Sequence, residues 1–152
     1  MISSHDIPVP IRIEAPRNHH QAGIAASAAT LLGAPFRLRG RSVDTGLDCV
    51  GVAVFCLWQN GHHCNAPSDY AVRGEFEERV QAFFDAGNFE RVRDVSLVAG
   101  DILLLRPAAR QLHLAVLTLH GAVHAHMGLG RVVLTPLPLP YPGIAQWRFK
   151  GD

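Results

Sequence analysis

Charge is sparse in this sequence, cysteine is sparser still, and neither a long apolar run nor a basic tract occurs. Each shortage excludes something. Charged residues make up 18% of the 152 positions and the formal net charge is +1, so the chain lacks the basic surface by which proteins hold nucleic acid. It is not depleted of apolar residues as disordered chains are, since 48% of it is hydrophobic. No apolar stretch approaches the ~20 residues needed to cross a bilayer, and no membrane partner is expected. Residues 1–16 hold no basic segment followed by an apolar one, so no secretory leader is expected and a cytoplasmic origin is. The three cysteines, Cys49, Cys56 and Cys64, are odd in number and do not form a disulfide framework. Free thiols fit a reducing compartment, or a protein that leaves the cell only by lysis or inside a particle. No cofactor is called for.

Glycine and proline punctuate what remains. Residues 1–18 contain Pro8, Pro10 and Pro16 and read as an extended arm or edge strand. Residues 19–32 are alanine-rich, with Ile24, Ala28, Leu31 and Leu32 at helical spacing; this predicts a helix stopped at Gly33, with Pro35 barring continuation. Residues 36–47 read as a loop rich in Arg and Gly. Residues 48–60 are apolar nearly all round, which periodicity alone does not divide between buried strand and buried helix. Their length, Asp48 at an N-cap position and the Asn60-Gly61 stop favour a helix, against the mild contrary preference of the valines.

Residues 62–73 read as a loop. Residues 75–86 read as an amphipathic helix, with Phe76, Val80, Phe83 and Phe84 on one face and Gly87 closing it. Beyond them the character changes. Residues 102–105, 112–119, 122–126 and 132–137 are short β-prone runs, separated by Pro107, a His120-Gly121 turn, and Gly128 with Gly130. Residues 147–149 read as a last strand, and the prolines between 136 and 142 as a stiff surface segment. Helices first and antiparallel strands afterwards, with no repeat or long linker, predict one α+β domain over residues 19–152 behind the arm.

Three residues carry the candidate chemistry. Cys49 follows Asp48 at the predicted helix start, where unpaired N–H groups and the macrodipole favour a thiolate and an oxyanion; Gly51 leaves space for a close approach. Taken alone, Cys49 is as well read as inert core. His113 interrupts an apolar strand and is placed to take the thiol proton and return it to a leaving amine, or is a hydrogen-bonded core histidine. The His120-Gly121 hairpin puts His124 on the neighbouring strand, where it can orient His113. His126, two residues on, faces the same side.

The order of these elements, a cysteine at a helix start and then two histidines on successive strands, resembles the NlpC-type cell-wall cysteine peptidases, in particular the branch associated with phage tails and gene-transfer particles. The resemblance is carried by Leu31-Leu32-Gly33-Ala34-Pro35-Phe36-Arg37-Leu38-Arg39-Gly40, Gly46-Leu47-Asp48-Cys49-Val50-Gly51-Val52, Leu97-Val98-Ala99-Gly100-Asp101-Ile102-Leu103-Leu104, His113-Leu114-Ala115-Val116-Leu117 and Ala122-Val123-His124-Ala125. It extends over about residues 22 to 149. It implies a papain-like α+β fold, with the cysteine helix packed on a small antiparallel sheet. It also implies cleavage of peptidoglycan stem peptides between γ-D-glutamate and a diamino acid. Cys49 is then the nucleophile, His113 the general base and acid, and His124 the orienting group.

By the same resemblance Asp48 helps bind the free amine of the stem peptide, besides serving as an N-cap, and Asp101 is a structural turn residue. Phe36, Arg37 and Arg39, beside the expected cleft, are candidate substrate contacts, and Arg41 alternates with them. Three departures bear on substrate detail. Val50 stands where the family often has Ser, Phe36 where it often has Tyr, and Arg39-Gly40 where Gly-Gly is usual. The insert over residues 62–95 is a feature of the tail branch.

Other readings stay open on the sequence. His113, His124 and His126 are three imidazoles that suit a catalytic zinc, giving a hydrolase or hydratase with no thiol nucleophile. The chain could be a silent tail-assembly or wall-binding module, or it could apply the same thiol chemistry to another acyl group. His62-His63-Cys64 has metal-ligand residue types without a matching second pair and reads as a polar loop; Cys56 reads as core.

Overall fold

The computed structural model describes residues 12–64, 66, 77–107 and 112–150. In chain order the elements are β1 (Ile13–Glu14), α1 (His19–Thr30), β2 (Arg41–Ser42), β3 (Gly46–Leu47), α2 (Cys49–Gln59) and α3 (Glu77–Ala86), followed by strands. The strands are β4 (Phe89–Arg91), β5 (Leu97–Val98), β6 (Ile102–Leu105), β7 (His113–Thr118), β8 (Gly121–His126), β9 (Arg131–Thr135) and β10 (Gly143–Phe149).

Local chemistry sets the helix ends. Asn18 caps α1, its side-chain oxygen accepting the Gln21 N–H at 2.9 Å, and Gly33 turns the chain away with φ 88°. Asp48 caps α2 in the same way, and Gly61 with φ 82° follows its C-terminal end. The predicted helix over 75–86 is present from Glu77; residues 75 and 76 lie outside the described residues. So do residues 1–11 of the expected arm, residue 65 and residues 67–73 of the expected loop. Of the arm, Ile13–Glu14 pairs in parallel with β5.

Six strands form one antiparallel sheet in the order β4-β10-β6-β7-β8-β9. The predicted hairpin is there, with Thr118 paired to Gly121 and φ 144° at that glycine. The strand expected over 132–137 stops at Thr135, because Pro136 and Pro138 have no N–H to give the ladder. The last strand is longer than expected: it starts at Gly143, immediately after the proline run, because it is flanked by β6 and β4 and needs little propensity of its own. β4, three residues of which only Phe89 is buried, has no periodic signal in the sequence.

Alternation along the strands divides the core in two. Leu104, Leu114, Val116, Val123, Ala125 and Trp147 face α1, α2 and α3 with Ile24, Val52, Cys56, Val80 and Phe84. Phe84 stacks on Trp147 at 4.7 Å between centroids, and Trp147 Nε1 donates to Asp85 at 2.9 Å. Leu103, Leu105, Ala115, Leu117 and Ala122 line the opposite face, covered by Leu97, Leu139 and Tyr141. Among the described residues no helix is long and apolar enough to cross a membrane.

Candidate active site

Asp48 fixes the start of α2. It is buried, and its carboxylate is engaged from three directions. Oδ1 accepts the Gly51 N–H at 2.8 Å and the Arg41 guanidinium at 3.0 Å, while Oδ2 accepts the Arg39 backbone N–H at 2.8 Å. The last bond is made with Arg39 at φ 62°, in the left-handed region that side chains disfavour. The close approach anticipated at Gly51 is made by the protein itself. A Cβ there would stand 2.2 Å from the Gly40 carbonyl oxygen, so only glycine lets the loop pack on the helix start. Arg37 and Arg39 have exposed side chains in this loop and Phe36 is half-buried beside the helix-facing core.

Cys49 is therefore the first residue of a capped helix, half-buried, with the backbone N–H groups of Leu114 and Val50 favouring its thiolate. Leu114 is the residue after His113, at the end of β7 where no pairing with β8 is registered, since the ladder holds only from Val116 to Thr118. Burial pushes the Cys49 thiol up to about 12, and the Asp48 carboxylate pushes the same way. The Leu114 and Val50 N–H groups and Arg41 pull against them.

His113 opens β7 and His124 lies inside β8. Their rings meet edge-on, His113 Nε2 to His124 Nδ1 at 2.6 Å, and His124 Nε2 lies 2.7 Å from the Thr135 hydroxyl of β9. This chain of contacts has a direction suited to catalysis. If Thr135 accepts from His124 Nε2–H, then His124 Nδ1 is an acceptor, His113 Nε2 carries the proton, and His113 Nδ1 is the basic nitrogen left over. Burial, then His124 and His126, depress His113 to about 3; burial, then His126, depress His124 to about 4. Both rings are neutral at rest and so open to a proton, though burial makes each a weaker base than a free imidazole.

His126 does not join them. Its Nδ1 accepts the Leu129 N–H at 3.0 Å and closes the β8–β9 turn. His113 Nε2 and His124 Nδ1 point at each other, not at a common point. The three-histidine zinc arrangement is thus not assembled, and among the described residues no group of three or more potential ligands is placed to hold a metal ion. His62 lies 3.3 Å from His20 Nδ1 and against Phe149, while Trp58 Nε1 donates to the Cys64 carbonyl at 3.3 Å. Cys56 is buried among the helix-facing core, and burial pushes its thiol up to about 12.

Several participants escape the sequence reading. Thr135 has the most legible signal: the turn at Gly128 and Gly130 sets a β8–β9 register that pairs Thr135 with Ala122, on the face of His124. The Leu114 N–H and the Arg41–Asp48 ion pair follow from tertiary placement and have none. Tyr141 stands beside both imidazoles, at 6.4 Å from His113 and 6.2 Å from His124 between centroids.

No protein-family model matches this sequence, and no curated protein matches it at a significant level. Solved structures do share its fold. NlpC1 from Trichomonas vaginalis superposes with a TM-score of 0.65 at 16% identity, covering 95% of this chain and 49% of that one. NlpC2 from the same organism gives 0.63 at 15%, covering 88% and 48%; this chain thus spans about half the length of either. The NlpC/p60 domain of the peptidoglycan hydrolase SagA gives 0.59 at 20%, covering 84% of this chain and 97% of that domain. At such identities the likeness is one of architecture: the chain has the papain-like α+β fold of the NlpC/p60 domains.

Proposed function

We propose that this protein is a cysteine peptidase that hydrolyses peptidoglycan stem peptides at the γ-D-glutamyl–diamino acid bond, with Cys49, His113 and His124 as its triad. The observation that carries the reading is the row of side-chain contacts His113–His124–Thr135, together with a cysteine at the capped start of α2 whose thiol feels the backbone N–H of Leu114, the residue after His113. The fold shared with a domain of a peptidoglycan hydrolase supports the choice of substrate.

In the proposed reaction Cys49 Sγ attacks the carbonyl carbon as His113 Nδ1 takes the thiol proton. The oxyanion forms at the start of α2, where backbone N–H groups and the helix dipole stabilise it. Collapse breaks the C–N bond, and His113 returns the proton to the departing amine, leaving a thioester on Cys49. A water deprotonated by His113 then releases the acid and restores the thiol. His124 holds the imidazole in its working tautomer. Phe36, Arg37 and Arg39 line the approach. Asp48 meets the free amine of the stem peptide while anchoring that loop. The motif resemblance to the tail and gene-transfer branch leads us to place the protein in such a particle after synthesis in the cytoplasm.

Incubation with purified stem peptides and whole peptidoglycan, followed by mass spectrometry, tests this reading. Fragments ending at the γ-D-glutamyl residue are expected from the wild type and none from a folded Cys49→Ala protein. Fragments from both proteins, or from neither while Cys49 still alkylates readily, overturn the assignment of nucleophile or substrate respectively.

A further inference from the structure

The prolines between residues 136 and 142 had no role on the sequence beyond stiffness, and the structure gives them a path. The run leaves the sheet at Thr135, whose hydroxyl meets His124, and re-enters at Gly143, which pairs with Leu105, itself the ladder partner of His113. Between these points it passes from β9 to β10, strands separated in the sheet by β8, β7 and β6. It crosses the face opposite the helices, with Leu139 and Tyr141 packed on Leu103, Leu105, Ala115, Leu117 and Ala122. The Pro142 carbonyl accepts the Arg106 N–H at 2.9 Å and fastens the far end. Prolines fix φ and lower the entropy lost in ordering such a crossing.

We propose that this strap exists in part to seat Tyr141, and that Tyr141 is a positioning residue whose ring keeps water from the His113–His124 hydrogen bond. The ring stands edge-on to both imidazoles, at 68° to His113 and 84° to His124, and at nearly equal distance from each. A hydrogen bond between neutral rings survives as an orienting device only where water does not compete for its donor and acceptor. The inference rests on the peptidase reading for its purpose, though not for its geometry.

The surroundings of His113 leave the ring as the controlling feature. From β8 it meets His124, with His126 acting on it from the same strand, and from the strap Tyr141; β6 presents the apolar Leu105. Burial is the largest cause of the lowered His113 value, ahead of either histidine. Removing the ring admits water and moves His113 back toward an ordinary imidazole.

The test is an NMR titration of the His113 and His124 side-chain nitrogens in wild type, Tyr141→Phe, Tyr141→Leu and Tyr141→Ala. Tyr141→Phe keeps the ring and is expected to titrate as wild type. Tyr141→Ala is expected to raise the His113 midpoint by about one pH unit, tenfold in proton affinity, and to broaden the shared proton by exchange. Tyr141→Leu should fall between them and decides the matter if the alanine protein does not fold. Unmoved midpoints in whichever of these folds, or a Tyr141→Phe shift as large as the others, overturn the proposal. Cleavage assays on the same proteins separate the two readings: a wild type with no activity on stem peptides counts against the substrate, while the titrations still judge the strap.

Discussion

Thr135 has no charge and takes no proton in the proposed reaction, yet in the proposed tautomer, with its hydroxyl accepting from His124 Nε2–H, it leaves Nδ1 of His113 as the basic nitrogen. His124 is 1% exposed, so an Nε2–H in that tautomer has no water to turn to. Thr135→Val keeps the shape and removes the acceptor. A buried donor left unpaired costs about 1–3 kcal/mol, and a denaturant midpoint lowered accordingly is expected, together with reduced cleavage as the His113 tautomers mix. Unchanged stability would mean that the hydroxyl is not the partner of His124. The depressed imidazole values also set the acid limb of activity. His113 must be neutral to act as a base, so kcat/KM should persist well below the ordinary imidazole value of 6.5 and fail only toward about 3. A limb near 6.5 would place His113 in a wetter setting than this one.

Elements are held to one another by a second polar centre, away from the cysteine. Asp101, fully buried, accepts from Gln21 of α1 at 3.1 Å, from the Val98 N–H at 3.1 Å, from Gln146 at 2.7 Å, and from Arg148 of β10 at 2.9 and 2.8 Å. It thus joins α1, β5 and β10 to the start of β6, the strand that pairs with the His113 end of β7. The Arg148–Asp101 pair is itself buried, with side chains 7% and 0% exposed. Arg148→Met leaves the carboxylate uncompensated and should cost roughly 3–5 kcal/mol by denaturant unfolding. The Asp48 cap works on the same principle at the catalytic end. Asp48→Ala should remove about 1 kcal/mol through the lost N-cap, and should slow cleavage more than that figure implies, since Arg39 and Arg41 lose their anchor with it. Cleavage unimpaired in Asp48→Ala would show that the loop holds its place without the carboxylate.

For the whole molecule, the pH dependence of stability follows from the two neutral imidazoles. The unfolded chain protonates its histidines as pH falls through 6.5, whereas folded His113 and His124 resist until about 3 and about 4. The unfolded state binds more protons across that interval, so stability falls as pH is lowered from 6.5 and the loss is complete below the folded values. A denaturation midpoint that stays flat from pH 7 to pH 4 would contradict it. The fold was legible where local chemistry and periodicity agree. Asn18 and Gly33 bound α1, Asp48 and Gly61 bound α2, and the Gly121 turn aligns β7 with β8, which is why the sequence alone brings His113 and His124 together. The start of β10 at Gly143 and the whole of β4 were not legible, because their pairing comes from neighbours distant in sequence. The same holds for the Leu114 N–H at the cysteine and for Tyr141 above the histidines. Both depend on how α2 and the proline strap lie against the sheet, which spacing along one chain does not encode.

The pairing of Cys49 with His113 underlies every part of this account, and the most direct test of it is the rate of Cys49 alkylation by iodoacetamide near neutral pH. The rate is to be followed by peptide mass spectrometry in wild type and in His113→Ala. A thiol pushed up to about 12 reacts only as fast as a base can relieve it of its proton. Cys49 is expected to be modified several times more slowly in His113→Ala than in the wild type, while buried Cys56 stays inert in both. An equal rate in the two proteins would mean that the sulfur and the imidazole do not exchange a proton, and would contradict the pairing on which the proposed reaction rests.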